Sequence, residues 1–388
     1  MTPTTTLAVS AFAAVTLLIA LLGDSFMVQL ATQVLVLWSF GLSYQLLFGR
    51  TGMLSFGHAV NFGLAAFFSA HAAHWLAGWP VYELLPLVGA LVGLICGAVF
   101  GYPVTRRSGV AFAMVTLGLG ELVAACFLMF PGFFGGEAGV TLRRTDVASL
   151  LGIDYGRTDT QLLLTALWSL VVLATVHWLA RTPFGMATLA VRENPQRADF
   201  AGFCTANVRW ASYLVASALA GVAGTLSALA YEIVTVDAVS LHTSANVLLL
   251  TVIGGVGSTL GPLVGAVFLT VMQSVVSEWT RAWLFYYGFV FVAVVWLAPE
   301  GIVGLAKASW RRHAHDGPAT RTMARALGMA FLLVIFTETA YQLALGEPTR
   351  LPGWQTLGPG ALQAVLLGSG LTVALWLARA LHRAGGMR

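Results

Sequence analysis

The sequence predicts an all-α, polytopic membrane protein with about ten transmembrane helices and one broken, re-entrant segment. Of its 388 residues, 58% are hydrophobic and only 9% are charged, and the mean hydropathy is +0.83. Its apolar runs are long enough to cross a bilayer core, which needs about 20 residues per helix. An ordinary soluble domain carries about 25% charged residues, and a disordered chain is poor in hydrophobic residues. Both classes are therefore excluded.

The apolar runs follow one another with short polar breaks. The run at 245–277 differs because Gly254, Gly255, Gly257 and Gly261 interrupt it, which predicts either one bent helix or two half-helices joined by a re-entrant turn. The runs lie at about 7–22, 26–48, 53–76, 84–104, 108–130, 161–180, 208–230, 245–277, 282–298, 323–345 and 359–381.

The placement of the basic residues predicts the topology. The segment 181–209 carries four arginines and is placed in the cytoplasm by the positive-inside rule. The basic stretch from Lys307 to Arg325 then falls inside only if the run 245–277 makes no net crossing. A re-entrant segment, which enters the membrane and returns to the same side, meets this condition. Two short crossings fit the charges equally well. Both termini are predicted to be cytoplasmic.

Several activities are excluded by residue types that the chain lacks. Lys307 is the only lysine and is followed by Ala308, so no phosphate-cradling GxxxxGK[ST] loop is present. The three cysteines, Cys96, Cys126 and Cys204, have no CxxC or CxxH spacing, so we expect neither a disulfide nor a metal site. No HExxH or GxSxG motif supports a catalytic site. The net charge of +4 is read as a topology signal and not as a nucleic-acid footprint.

The chain is predicted to have three parts. Residues 1–306 form a transmembrane domain that includes a cytoplasmic segment at 183–205. Residues 307–322 form a polar linker, and residues 323–388 hold an appended pair of transmembrane helices. The first apolar run is expected to stay as an uncleaved helix, because residues 1–22 contain no Lys or Arg.

Four glycines recur every four residues, at Gly89, Gly93, Gly97 and Gly101. On a helix they form one smooth stripe that allows another helix backbone to approach closely. The stripe therefore predicts helix packing, with the partner helix either in this chain or in another.

Polar residues lie within and just after the stretch Gly-Arg-Thr-Gly-Met-Leu-Ser-Phe-Gly-His-Ala at 49–59. Ser55, His58 and Asn61 are three residues apart, which predicts that they share one helical face. Polar groups at membrane depth are costly unless they are partnered. The face is therefore either a capped helix start with a hydrogen-bonded histidine or the lining of a translocation path.

Glu121 is the only acidic residue near the centre of a predicted span, and Thr116 precedes it in the same run. It is interpreted as a proton or ion site, as a partner of another helix, or as a neutral, hydrogen-bonded structural carboxyl. The break at 253–262 adds three more candidates. The candidate path residues are Ser55, His58, Asn61, Thr116, Glu121, Gly254, Gly255 and Ser258.

The cytoplasmic segment 183–205 mixes helix-forming, apolar and charged residues. Pro195 fits the first turn of a helix that Asn194 caps. Such a helix is too polar to cross the bilayer, so it lies at the membrane surface or docks on a cytoplasmic partner.

Six short motifs, in this order, resemble the permease subunit of the branched-chain amino acid family of ABC importers. The resemblance covers roughly residues 30–306. Its carriers are the stretch 49–59, Val-Thr-Leu-Gly-Leu-Gly-Glu at 115–121, Gly135–Gly136 with Gly139, Thr-Pro-Phe-Gly with Val-Arg-Glu-Asn within 182–194, Ile-Gly-Gly-Val-Gly-Ser-Thr-Leu-Gly-Pro at 253–262, and Pro-Glu-Gly-Ile-Val-Gly at 299–304.

The resemblance implies a division of labour. The chain is expected to form half of a translocation path in a bacterial inner membrane, beside a second, related permease. Two separate ATPase subunits would bind ATP and Mg²⁺ below it, so no cofactor is expected in this chain, and a periplasmic binding protein would deliver the solute. The segment 183–205 corresponds to the family's coupling helix, which fits a groove in the ATPase. That role is carried onto Arg192, Glu193, Asn194, Ala198 and Gly202.

Two points of the resemblance leave questions open. The helix pair beyond residue 311 exceeds the family's usual end. Members of the family also transport urea, amides, aromatic acids and other amino acids, so the resemblance does not identify the substrate of this chain. The alternative function is a secondary transporter that uses Glu121 and His58 as proton or ion sites, since broken helices suit that class too.

Overall fold

The computed structural model describes residue 12 and residues 15–280, 282–297 and 300–304. It confirms an all-α, polytopic architecture. The predicted linker 307–322 and the appended helix pair 323–388 lie outside the described residues. Residues 15–22 are helical, and two π-helical turns lie at Gln45–Gly49 and Met272–Val276. The helices, in chain order, are α1 (Ser25–Tyr44), α2 (His58–Trp75), α3 (Leu85–Val104), α4 (Val110–Met129), α5 (Pro131–Phe134), α6 (Thr158–Ala180), α7 (Pro183–Glu193), α8 (Pro195–Phe200), α9 (Thr205–Tyr231), α10 (Leu241–Gly254), α11 (Gly261–Val271), α12 (Ser277–Trp279) and α13 (Trp283–Leu297).

Five helical stretches in the described part of the chain are long and apolar enough to cross a membrane. Three shorter apolar helices follow them, at Leu241–Gly254, Gly261–Val276 and Trp283–Trp296. All eight coincide with apolar runs of the sequence. The five long stretches are Ser25–Gly49, Tyr82–Val104, Val110–Met129, Thr158–Ala180 and Thr205–Tyr231.

Helix α2 begins later than its apolar run. The run starts at residue 53, but residues 52–57 are not helical and α2 begins at His58. The backbone of Gly57 lies so close to the Thr116 carbonyl of α4 that a Cβ there would overlap it. Most of α2 is buried, chiefly against α9, α3 and the turn Val236–Val239. Its buried polar residues, His58, Asn61 and Ser69, therefore face protein, which avoids the cost of exposing them to lipid.

The glycine stripe of α3 packs against α9 of the same chain. All four glycines are buried, and the nearest atoms to their missing Cβ positions belong to α9. Gly89 faces the backbone of Gly221, and Gly93 faces the carbonyl of Ser217. Glycines later in α3 contact residues earlier in α9, so the two helices are antiparallel. The partner that the sequence left open is thus within this chain.

The run 245–277 is broken as predicted, into α10 and α11. A Cβ on Gly254 would overlap the backbone of Gly261, and one on Gly265 would overlap the carbonyl of Leu250. These two pairs show an antiparallel hairpin. Gly255 has φ +120° and makes the turn, a conformation that favours glycine. Helix α10 has 14 residues, about 21 Å, which is short of a bilayer core of about 30 Å and favours the re-entrant form.

A cap of short elements joins α4 to α6 and α9 to α10. Strands β1 (Val140–Thr141) and β2 (Ile233–Val234) pair antiparallel, with Val140 opposite Val234. Beneath them an aromatic stack fills the core: the rings of Phe127 and Phe134 lie 3.9 Å apart, and Phe67 meets Phe127 edge-on. The cap therefore fixes the ends of α4 and α9 to each other.

The chain divides into two compact units, residues 1–267 and 268–388. In the second unit, the π-helical turn Met272–Val276 is followed by α12 and α13. The rings of Phe268 and Tyr287 stack there, with centroids 6.1 Å apart.

Candidate functional site

The segment 183–205 contains two helices and not the single coupling helix that was predicted. Helix α7 ends at Glu193 and α8 begins at Pro195. Asn194 between them has extended backbone angles, as expected of a residue before proline. Its side-chain Oδ1 accepts a hydrogen bond of 3.0 Å from the Arg197 amide. Asn194 is thus the predicted cap of a helix that starts with Pro195, but the same proline ends the helix before it.

The exposed face of this two-helix segment carries both charge and apolar surface. Arg192, Glu193 and Asn194 are exposed, whereas Ala198 is buried. Phe200, at the end of α8, is 94% exposed. Sequence analysis did not single out Phe200, because a phenylalanine among mixed residues gives no signal of its exposure. Gly202 ends the segment with φ +90°, a left-handed conformation that suits glycine.

Two arginines fasten α7 to the end of α1. The Arg192 guanidinium donates to the carbonyl of Gly49, and the Arg50 guanidinium donates to the carbonyl of Gly185 at 3.3 Å. Burial lowers the pKa of Arg50 from its usual value, but a guanidinium stays charged at neutral pH. Arg50 was included from sequence only as part of the motif at 49–59. The hydrogen-bonded contact shows that it also holds α7 in place.

His58 is fully buried at the start of α2. Its Nε2 lies 2.9 Å from the Ser43 hydroxyl, which itself donates to the Phe40 carbonyl. Since that hydroxyl has one hydrogen, Nε2 is the donor of the pair. The imidazole stacks on Phe40 and meets Tyr44 edge-on. This arrangement matches the hydrogen-bonded histidine that the sequence offered as one alternative.

The predicted common face of Ser55, His58 and Asn61 is not formed. Ser55 lies in the non-helical stretch before α2, where its carbonyl accepts from the Tyr44 hydroxyl at 3.1 Å. The Phe56 amide donates to the Thr116 hydroxyl at 3.1 Å, so this non-helical stretch is bonded to α4. Only His58 and Asn61 are on α2.

The remaining polar candidates of α2 and α4 are buried among neighbouring helices. Asn61 donates to the Tyr213 hydroxyl of α9 at 3.3 Å. Thr116 is fully buried and links α4 to the stretch before α2. The Ala59 amide donates to the Ser244 hydroxyl at 3.1 Å, which ties the start of α2 to α10. The candidates therefore meet where α1, α2, α4, α9 and α10 come together.

Glu121 does not join this cluster. It lies near the middle of α4 but is exposed, on a face that also presents Met114, Gly118 and Leu122 to the outside of the chain. A carboxyl group at mid-span is costly against lipid. Glu121 is therefore separate from the buried polar candidates of α2 and α4.

The turn of the hairpin is held by α1. Gly254 and Gly255 are buried, and Ser258 is half-buried. The side-chain amide of Gln45 donates to the carbonyls of Val256 and Ser258, at 3.2 and 2.8 Å. Sequence analysis missed Gln45. Its signal was an amide deep within an apolar run, since such residues at membrane depth are functional candidates by default.

A cavity of about 80 Å³ lies near the start of α1 and α6 and the end of α9. This volume is well below the about 300 Å³ of a small-ligand pocket. No predicted path residue lines it, so it is not the predicted path. Its lining residues are Gln29, Thr32, Gln33, Arg144, Thr158, Gln161, Ala230 and Tyr231.

A multi-pass bundle of apolar helices with a broken hairpin and an exposed polar segment defines a membrane transport permease. The profile of the family described as "Branched-chain amino acid transport system / permease component" matches residues 26–298. The chain belongs to this family. It is therefore a permease subunit of the ABC importer class, and these matches give no support to the secondary-transporter alternative.

Similar proteins in three organisms share this description. The branched-chain amino acid permease LivM of Salmonella typhimurium is 27% identical over 303 residues, which cover 72% of this chain and 70% of that protein. LivM of Escherichia coli is 26% identical with the same coverage. The probable permease LivH of Methanocaldococcus jannaschii is 26% identical over 242 residues, 59% of this chain and 74% of that protein. No solved structure matches the chain significantly.

Proposed function

We propose that this chain forms half of the translocation path of an ATP-driven importer and that the segment α7–α8 docks on an ATPase subunit. The observation that carries the docking role is the exposed surface of that segment, where Phe200 is 94% exposed beside Arg192, Glu193 and Asn194. Large aromatic side chains that fill a pocket of a partner are typical binding hot spots. The arginine contacts from α7 to α1 support transmission of force from such a partner.

The proposed assembly has four further components. A second, related permease faces this one, and the exposed face of α4 with Glu121 supports a polar contact or path on that side. Two ATPase subunits bind Mg-ATP and supply the energy, because this chain has no phosphate-binding loop. A periplasmic binding protein delivers the solute. Because the similar permeases are named for branched-chain amino acids, the proposed solute is a branched-chain amino acid or a similar small amphipathic molecule.

The docking role is tested with Phe200→Ala in the assembled importer. We expect the affinity for the ATPase subunit to fall by about tenfold or more, as for an anchor residue of an interface. The fold should persist, since little of this side chain contacts the rest of the chain. Leu151→Ala is the matched control, because Leu151 is 68% exposed but lies in the cap. Affinity is measured by titrating detergent-solubilised permease with purified ATPase subunit.

Two further results bear on the function. Glu193→Arg should uncouple transport from ATP hydrolysis, because it reverses the charge at the end of α7.

Uptake of radiolabelled leucine should stop when ATP is depleted and continue when the proton gradient is collapsed. Uptake that depends on the proton gradient would contradict the importer class. In the binding experiment, an unchanged affinity of the Phe200→Ala variant for the ATPase subunit would place α8 at the membrane surface.

A further inference from the structure

The end of α1 is the meeting point of two parts of the molecule that an importer must connect. Its last turn, Gln45–Gly49, is π-helical. On one side this turn contacts α7 of the docking segment, and on the other it contacts the tip of the α10–α11 hairpin. π-helical turns within helices are uncommon and are frequently found at functional sites.

The contact with α7 is reciprocal. Arg192, in the last turn of α7, donates to the Gly49 carbonyl that ends the π-helical turn. Arg50, the next residue, donates to the Gly185 carbonyl near the start of α7 at 3.3 Å. Both ends of α7 are therefore tied to the same point of the chain. A shift of α7 cannot leave that point in place without breaking a charge-assisted hydrogen bond.

The contact with the hairpin involves both ends of the same turn. Gln45 is 8% exposed, and its amide nitrogen donates to the carbonyls of Val256 and Ser258, on both sides of Gly257. Gly49 adds a steric contact, because a Cβ there would come within 2.9 Å of the Val256 carbonyl. One amide thus binds both carbonyls that flank Gly257 at the tip of the hairpin.

We propose that the π-helical turn Gln45–Gly49 is a mechanical link that transmits movement of the docking segment to the hairpin tip, with Arg192 and Gln45 as positioning residues. The proposal rests on the proposed function, since it assumes that α7–α8 is moved by an ATPase. ATP-driven displacement of α7 pulls on Gly49, the turn shifts, and Gln45 carries the hairpin tip with it. The hairpin is then the element of this chain that opens or closes the path.

The test follows the hairpin tip directly and does not need the transported solute. Gly257 is exposed, and no atom lies within 4 Å of its missing Cβ, so Gly257→Cys is tolerated there. With Cys204→Ser as background, the rate of maleimide labelling at position 257 is measured in the assembled importer, without nucleotide and with ATP and vanadate. We expect the rate to change with nucleotide in this parent protein.

The decisive variant is Gln45→Met, which keeps the length of the side chain and removes both donors. It should abolish the nucleotide-dependent change in labelling, while the ATPase subunits still co-purify. Gln29→Met is the matched control, because Gln29 lies at the other end of the same helix, and it should keep the change. A Gln45→Met protein that responds like its parent would overturn the link. A parent that binds the ATPases but shows no change would overturn it too.

A second pair of variants acts at the other end of the link, in case Gln45→Met does not fold. Arg192→Lys keeps a donor for the Gly49 carbonyl and should retain the nucleotide-dependent change, whereas Arg192→Leu should lose it. Full retention by Arg192→Leu would contradict the link. Failure of the parent itself to bind ATPase subunits would reject the proposed function, and the link with it.

Discussion

His58 shows how a polar side chain is accommodated inside a membrane bundle. Its imidazole is fully buried, donates to Ser43 and is enclosed by the rings of Phe40 and Tyr44. The bond to Nε2 offsets only part of the cost of burying this ring, because Nδ1 is buried without a hydrogen-bond partner among the described residues. The spacing of the residues pointed to a polar cluster here, but which helix supplied the partner depended on tertiary contacts.

Replacement of His58 by leucine tests whether this cluster is structural. We expect His58→Leu to destabilise the protein by about 1–3 kcal/mol, because the Ser43 hydroxyl loses its donor in the interior. The measurement is the midpoint of thermal unfolding in detergent. Ser43→Ala removes the acceptor of the same bond and leaves both imidazole nitrogens without a partner, so it should lower the midpoint as well. Abolished uptake with an unchanged unfolding midpoint would instead indicate a path residue.

Glu121 presents the opposite case, an acidic group exposed in the middle of α4. If this face lines a path, Glu121→Cys reacts with a hydrophilic thiol reagent, because such reagents need water to reach and ionise the thiol. Leu122→Cys, on the adjacent residue, is the control for general access. Both are made with Cys204→Ser and compared by labelling rate in the assembled importer. Equal, negligible rates at both positions would place this face against another helix or lipid.

At the scale of elements, the sequence predicted the features that depend on residues within one helical turn of each other. The Asn194–Pro195 pair predicted a helix start, and the structure has it, because a cap and a proline act within one turn. The glycine stripe predicted close packing but not its partner. The start of α2 and the division between α7 and α8 were not predicted. In the first case a distant residue, Thr116, binds the backbone that would otherwise continue the helix.

The contact of α3 with α9 can be tested with single methyl groups. Gly93→Ala places a Cβ into the Ser217 carbonyl, so the helices must separate, and we expect a loss of about 1–3 kcal/mol as for an overpacked core. Gly118→Ala is the control, because no atom lies within 4 Å of its Cβ position. It should be neutral or slightly stabilising, since alanine favours a helix over glycine. Equal unfolding midpoints for the two variants would contradict the close approach.

At the scale of the whole molecule, composition and charge predicted the class and the broken hairpin. Apolar runs and arginine positions report on membrane insertion, which depends on the chain as a whole. They do not indicate which helix faces pack against each other. The Gln45 contact joins residues 211 positions apart in the chain, and no periodicity encodes such a contact. Nor does any periodicity encode what covers the exposed faces of α4 and α8.

The structure relates the two faces of the membrane within this chain. Helix α9 has 27 residues, about 40 Å, so its ends lie on opposite sides of a core of about 30 Å. Cys204 precedes α9 and is exposed. Strand β2 follows α9 and pairs with β1, which holds the cap at 131–157 on the far side. Cys204 and the exposed Leu151 of that cap are therefore on opposite sides of the membrane.

This relation makes the predicted orientation testable with one reagent. If the docking segment is cytoplasmic, a membrane-impermeant maleimide labels Cys204 in inside-out vesicles and not in intact spheroplasts. The other two cysteines compete little, since Cys96 is buried and Cys126 is half-buried, and Cys204→Ser reports their background. Leu151→Cys in that background should give the reverse pattern. Labelling of Cys204 in intact spheroplasts, with Leu151→Cys protected, would invert the topology and place α7 and α8 where no cytoplasmic ATPase reaches them.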